Sequence, residues 1–248
     1  MKFALFLATI VISFSATANA NDPPLASLDI VAAEHELLQY RDNGVLKGPT
    51  IEILKLLLQN QQLVDKTRFL PWARALLVAK TQPNTLVLSI VRTKEREPFF
   101  HWITKVSNLE RAFISLKSNK TATITTFEQA KSKLTVVVRD SYSHRSLLKQ
   151  GFSAQQHLYV VSNIELAIDL LLNNKVELLY TDPEVIEHYF EKQKLRAAEM
   201  VNFTVFPETS RSSYIALNKE SDVEILEVLL LAHQRIKDLP SYHFLINN

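Results

Sequence analysis

Arg92 and Arg96 fall in the segment Ser89 to Glu97, where an apolar run gives way to alternating charge. A guanidinium offers a planar fork of donors that meets a carboxylate in two parallel bonds, which lysine cannot imitate. At a strand end such a group can hold an anionic ligand. The competing reading is an ion pair with Glu95, Glu97 or another acid on a solvated face, and Arg92 carries the same two readings. Asp182 follows the apolar run Leu178 to Tyr180 and precedes Pro183. An acid there either points into the crevice at the carboxyl end of an α/β sheet or caps the helix that the proline opens, and the two roles are compatible. Tyr40, Trp72, Trp102 and Tyr142 can wall a ligand, because an aromatic ring joins a flat apolar face to a polar edge. Trp72 follows Pro71 at a strand-to-helix turn, a cleft-facing place, whereas Trp102 within PFFHW reads as core.

Other chemistries lack their residues. With no cysteine there is no disulfide, thiol nucleophile or Cys-ligated metal, and the 7 histidines contain no H-E-x-x-H and no close pair. No metal site and no cofactor is expected, and His144 is singled out only because it lies one turn into a cleft-facing helix. The 3 glycines cannot build a phosphate-cradling loop, a dinucleotide-binding turn or a nucleophile elbow. With 28 Lys and Arg against 26 Asp and Glu, and no long run of one sign, nothing marks a nucleic-acid partner.

These side chains need elements to hold them. Residues 1–20 are set apart: Lys2, an apolar run from Phe3 to about Phe14, then Ala18-Asn19-Ala20 read as a cleavable export signal too short to span a bilayer. The mature chain is expected to start near Asn21 and to be periplasmic. Strands are expected over Leu28–Ala32, Thr67–Leu70, Thr85–Ser89 and Arg111–Leu116, with helices over Pro49–Asn60 and Ala73–Lys80. After a polar stretch the pattern restarts with strand Leu134–Val138, helix Ser143–Gln150 and strand His157–Val161. A helix capped by the Ser162/Glu165 box, strand Glu177–Thr181, a helix from Pro183 and strands Phe203–Phe206 and Ser213–Leu217 follow, before a last helix after a Ser221/Glu224 box. Alternating strands and helices in two units imply an α/β protein with a ligand cleft between them.

The segments VVVRDSYSH (Val136 to His144), LLYTDPEVI (Leu178 to Ile186), SIVRTKERE (Ser89 to Glu97) and FLPWARAL (Phe69 to Leu76), with the ending YIALNKESDVEILEVL (Tyr214 to Leu229), resemble family 3 extracellular solute-binding proteins. These are periplasmic receptors of polar amino acid uptake. The resemblance implies a two-lobed fold whose cleft closes on a small solute. Lobe 1 would take residues 21–117, lobe 2 residues 118–204, and lobe 1 would be completed by 205–248. It implies that Arg96, ending Thr93-Lys94-Glu95-Arg96, binds the ligand's carboxylate and that Asp182 accepts from its α-amino group. Tyr40, Trp72, Tyr142, Ser143 and Arg92 complete the expected ligand set, and the protein is expected to act as a monomer serving an inner-membrane ABC permease.

The sequence also departs from that pattern. Where a hydroxyl donor is usual five positions before the arginine, Val91 stands, and Ser141-Tyr142-Ser143 replaces a small Gly-Thr-Thr turn, leaving Ser143 as a donor by its hydroxyl or from the helix start. Glu36-Leu37-Leu38-Gln39-Tyr40 replaces an aromatic-Pro segment. The resemblance also leaves open an enzyme on the same scaffold, of the cyclic-acid dehydratase type with Glu34, Glu36 or Asp140 as proton donor, or a sensor reporting to a membrane receptor.

Overall fold

Strand β1 (Asp29–Ala32) buries its last three residues in succession, the mark of a strand covered on both faces. The structure is a computed structural model that describes residues 24–206 and 211–247, so the export signal read over residues 1–20 lies outside the described residues. A hairpin of β2 (Tyr40–Asp42) and β3 (Val45–Lys47) turns through Asn43 and Gly44, both at positive φ. Helix α1 (Pro49–Leu58) starts with its proline where a missing N–H costs nothing. Gly48 before it has φ 108°, and a Cβ there would come within 2.5 Å of the Leu38 carbonyl oxygen, so only glycine lets the loop at residues 33–39 lie against the helix start. The helix expected to reach Asn60 stops at Leu58. Gln59 turns left-handed, and Asn60 caps α2 (Gln61–Asp65) by accepting from the Leu63 N–H.

Next come β4 (Arg68–Phe69), α3 (Trp72–Thr81), β5 (Thr85–Val91) and β6 (Phe100–Leu109). β6 was not expected: two register shifts against its partner strand break the alternation of its buried residues, which leaves no period of two to read. After β7 (Ala112–Leu116) follow α4 (Phe127–Lys131), β8 (Thr135–Val138), α5 (Tyr142–Lys149), β9 (Leu158–Val161), α6 (Ile164–Leu172), β10 (Leu178–Thr181), α7 (Pro183–Lys192), α8 (Ala197–Met200) and β11 (Val201–Val205). The chain finishes with β12 (Arg211–Asn218), α9 (Val223–Ile236) and α10 (Pro240–Asn247).

Two five-stranded sheets result, in the orders β4-β1-β5-β12-β6 and β11-β7-β10-β8-β9. The strand read over Arg111–Leu116 pairs with β10 and β11, so it belongs to the second sheet, and the crossing expected near Lys117 falls at Glu110 and Arg111. The chain returns between Val205 and Arg211. Both faces of each sheet are covered. Leu86 and Leu88 pack with α1 and α9 through Ile53, Leu57 and Leu229, while Val87 and Ile90 pack with α3 through Ala75 and Val78. In the second sheet Val136 and Leu179 meet α6 and α7 through Ile168 and Ile186, and Val137 and Leu178 meet α5 through Leu147.

Two caps differ from expectation. Asn163, not Ser162, caps α6, its side chain accepting from the Leu166 N–H at 2.9 Å. Ser221 does not cap α9: its hydroxyl accepts from the Asn84 N–H, and Asp222 is the residue before the helix.

Candidate functional site

Strands β1, β4 and β5 are parallel, as are β8, β9 and β10, and the segments following them face a shared cavity of about 410 Å³. Carboxyl ends of parallel strands are where open α/β sheets present ligand contacts, because the chain turns there without pairing its backbone. The first sheet contributes Ala33 to His35, Leu70 to Trp72, Ser89 and Val91, with Arg96 beyond β5. The second contributes Val138, Ser141 to Ser143, Ser162 to Glu165 and Thr181, with Arg111 at the crossing between the sheets.

Arg96 is 8% exposed and faces this cavity. Its Nη1 donates to the Val91 carbonyl at 2.8 Å and its Nη2 to the Asp140 carbonyl at 3.4 Å, while its Cζ lies 5.6 Å from the Trp72 ring centroid. It makes no ion pair among the described residues; Glu95 pairs with Lys149 and Glu97 with Arg92. Burial, above all, pulls the guanidinium down to about 10, with Arg145 adding repulsion, Glu95 and Asp140 pulling back up and Arg111 adding a lesser repulsion, and it stays charged at neutral pH. A buried cation resting only on carbonyls and a ring is short of counter-charge, and the open side of the cavity is where an anion can supply it.

Trp72 donates from Nε1 to the Asp140 carbonyl at 2.9 Å, so it spans the cleft from the first sheet to the second. Tyr142 lines the cavity, its ring centroid 5.6 Å from the Arg111 Cζ. Ser143 lines it from the first turn of α5, which Ser141 caps by accepting from the His144 N–H. His144 turns away: its Nδ1 accepts from the Asp140 N–H, and it does not line the cavity.

Tyr40 and Arg92 are not brought to the cavity. Tyr40 sits in the β2–β3 hairpin opposite Lys47. Arg92 points the other way, paired with Glu97 at 2.7 Å and lying over the Trp102 ring. Neighbouring residues along an extended segment face opposite sides, so Val91 and Arg92 cannot both reach the cleft.

Asp182 is buried but does not line the cavity. One carboxylate oxygen caps α7 by accepting from the Glu184 N–H at 3.1 Å; the other accepts from the Glu110 N–H at 3.0 Å and from Arg111 Nη1 at 3.3 Å. Arg111 stands where the chain crosses between the sheets and lines the cavity itself. Reading Arg111 as the first residue of a strand hid it; the one available signal was an arginine opening the apolar run Ala112 to Ile114. Two more contributors carried no local signal. Gln39 Oε1 accepts from the Ser89 hydroxyl at 2.6 Å, and His35 has a buried Nδ1 with no partner. Among the described residues no group of His, Asp and Glu can hold a metal ion, and no helix is long and apolar enough to cross a membrane.

No family model matches the chain, and no curated protein sequence matches it. Solved structures do. A histidine kinase sensor domain with similarity to periplasmic binding proteins superimposes with a TM-score of 0.73 at 12% identity, covering 88% of this chain and 94% of that one. An ancestral arginine-binding protein bound to arginine gives 0.72 at 20% identity over 89% and 97% of the two chains. The arginine-, lysine-, histidine-binding protein ArtJ from Geobacillus stearothermophilus gives 0.72 at 15% over 88% and 93%. The chain therefore has the two-lobed, periplasmic-binding-protein-like α/β fold.

Proposed function

We propose that this protein is a periplasmic solute-binding protein that takes up a small carboxylate-bearing solute between its lobes and passes it to an ABC-type importer of the inner membrane. Residues 1–20 serve as the export signal, the mature chain works as a monomer, and the lobes hinge about the crossing at residues 110–111. One observation carries the reading: Arg96 is a buried, charged guanidinium that lines the inter-sheet cavity, held by carbonyls and a tryptophan face and in no ion pair among the described residues, the nearby Glu95 and Asp140 being paired with Lys149 and Arg145. A carboxylate placed there would supply both the missing counter-charge and the bidentate geometry. Trp72, Tyr142 and Ser143 line the same cavity and would contact the rest of the solute.

The test is a thermal-melt screen of small carboxylates, amino acids and polyamines on the wild type and on Arg96→Ala. A ligand of the folded state present at about 100 times its Kd adds about 2.7 kcal/mol of stability, an easily read shift. Carboxylates are expected to shift the wild type and to lose that shift in Arg96→Ala. If Arg96→Ala melts lower when empty yet keeps every shift, Arg96 is a structural residue and the anchor lies elsewhere. Turnover of a stabilising acid would instead identify an enzyme on this scaffold, and dependence of a receptor on the loaded protein a sensor.

A further inference from the structure

We propose that the solute is a carboxylate with an apolar body and no α-ammonium group, because Arg111 guards the buried end of the cleft against a second cation. The inference rests on the reading of the cavity as a solute site anchored by Arg96. An ammonium taken out of water needs a carboxylate within bonding distance, since an unpaired buried charge is not tolerated. Asp182 is the buried acid of this region, and it does not line the cavity: three of its roughly four acceptor sites take the Glu184 and Glu110 N–H groups and Arg111 Nη1. Arg111, not Asp182, presents itself to the cavity. The other acids along the lining, Glu34 and Glu165, are solvent-exposed.

The charge balance points the same way. Arg96 and Arg111 are both buried, and they are near enough for Arg111 to disfavour the charge on Arg96. Asp182 pairs with Arg111, whereas Arg96 has no ion-pair partner among the described residues and the acids that favour its charge, Glu95 and Asp140, are each paired with another cation. Arg111 also holds a buried Nε–H that no hydrogen-bond acceptor satisfies, and the neutral acceptors of the lining, such as the His35 Nδ1, bring no negative charge to an ammonium. Leu70, Val91, Val138 and Leu179 give the lining an apolar part alongside its hydroxyl and amide groups and the Trp72 and Tyr142 rings. One anionic head and one hydrocarbon or aromatic body match that surface; a zwitterion would place its second charge against a guanidinium.

The experiment is calorimetric titration with matched pairs that differ by the ammonium alone: 3-phenylpropanoate against L-phenylalanine, and 4-methylpentanoate against L-leucine. In each pair the simple acid is expected to bind at least about tenfold tighter. Equal or tighter binding of the amino acid overturns the inference while leaving the anchor intact, provided Arg96→Ala abolishes it. Failure of every acid and amino acid to bind overturns the anchor reading itself, and this inference falls with it. Removing Arg111 alone strands a buried carboxylate and invites misfolding, so the informative variant is Arg111→Met/Asp182→Asn, which deletes both charges together and whose fold is checked by circular dichroism. It is expected to lose most of the tenfold preference, read as the ratio of the two affinities within each pair. A folded double variant that still prefers the acids to the same degree shows that Arg111 is not the discriminating group and sinks the proposal.

Discussion

His35 and Asp182 flank Arg111 and respond to acid in opposite senses. Burial first, and the charge of Arg111 second, hold the His35 imidazole down at about 4, against a small upward pull from Glu36. Between its ordinary 6.5 and 4 the unfolded chain binds the proton and the folded one does not, so this group withdraws stability as pH falls through that window. Burial pushes the Asp182 carboxyl up to about 6, although Arg111 and two backbone N–H groups pull it down. Here the folded state holds the proton more tightly between 3.8 and 6, so stability rises as pH falls through that range. The two groups flanking Arg111 therefore contribute opposed slopes to the wild-type profile. His35→Asn removes the His35 slope and leaves the other groups in place, so the stability of the variant relative to wild type should improve by about 2 to 3 kcal/mol on going from pH 7 to pH 4. Urea unfolding at pH 4, 5.5 and 7 reads this directly. Parallel profiles for the two proteins would show that His35 is not held neutral by its surroundings.

At the scale of the element, β5 shows how a strand can be bent to serve a site. Leu86 and Leu88 face α1, Val87 faces α3, and strict alternation would send Ile90 back toward α1. Ile90 instead joins Val87, because Ser89 sits at φ 55° and the pairing with β12 slips there by one residue. The bulge turns the Ser89 hydroxyl toward Gln39 and Thr50, tying the end of β5 to the loop after β1 at the cavity wall. The helix starts at the site are built as conventionally as the bulge is not. Asn163 caps α6 with its side chain, whereas Ser162 has no such bond, so Asn163→Ala should cost about 1 kcal/mol and Ser162→Ala close to nothing in chemical denaturation. Equal losses in the two variants would restore the serine–glutamate box as the true cap.

Across the whole molecule the two sheets are joined by polar contacts that cross the cleft. Trp72 and Arg96 reach the Asp140 carbonyl from one side, Lys149 meets Glu95, and Lys192 meets Glu36 at 2.7 Å. The two ion pairs are largely exposed and contribute little each. A solute touching Arg96 on one side and the α5 turn on the other would add its affinity only to the arrangement in which both sides are close, which shifts the population toward that arrangement. Small-angle scattering should therefore give a smaller radius of gyration at saturating solute, with the change absent in Arg96→Ala. An unchanged radius at saturation would mean that the lobes do not move against one another on binding.

Much of this protein is written locally. The apolar runs of β1, β5, β8 and β10, the proline starts of α1 and α7 and the turn residue Asp182 could each be read from a few neighbours, because strand burial and helix initiation depend on the nearest side chains. Position was legible only in part: Arg96 and Trp72, placed beside strand ends, and Tyr142 and Ser143, placed through the resemblance, line the cavity, whereas Tyr40, Arg92 and Asp182 do not. What the chain does not spell out locally is pairing. Whether the strand after Arg111 joins the first sheet or the second is settled by hydrogen bonds to β10 and β11, more than sixty residues away in sequence, and that choice sets Arg111 beside Asp182. Likewise Arg92 and Arg96 are chemically alike, and only the bulge at Ser89 and the turn that follows decide which faces the cleft. Tertiary structure decided these because burial of a charge is a property of everything packed around it, and the groups that pair with Asp182 and draw Glu95 and Asp140 away from Arg96 are placed by the folded chain.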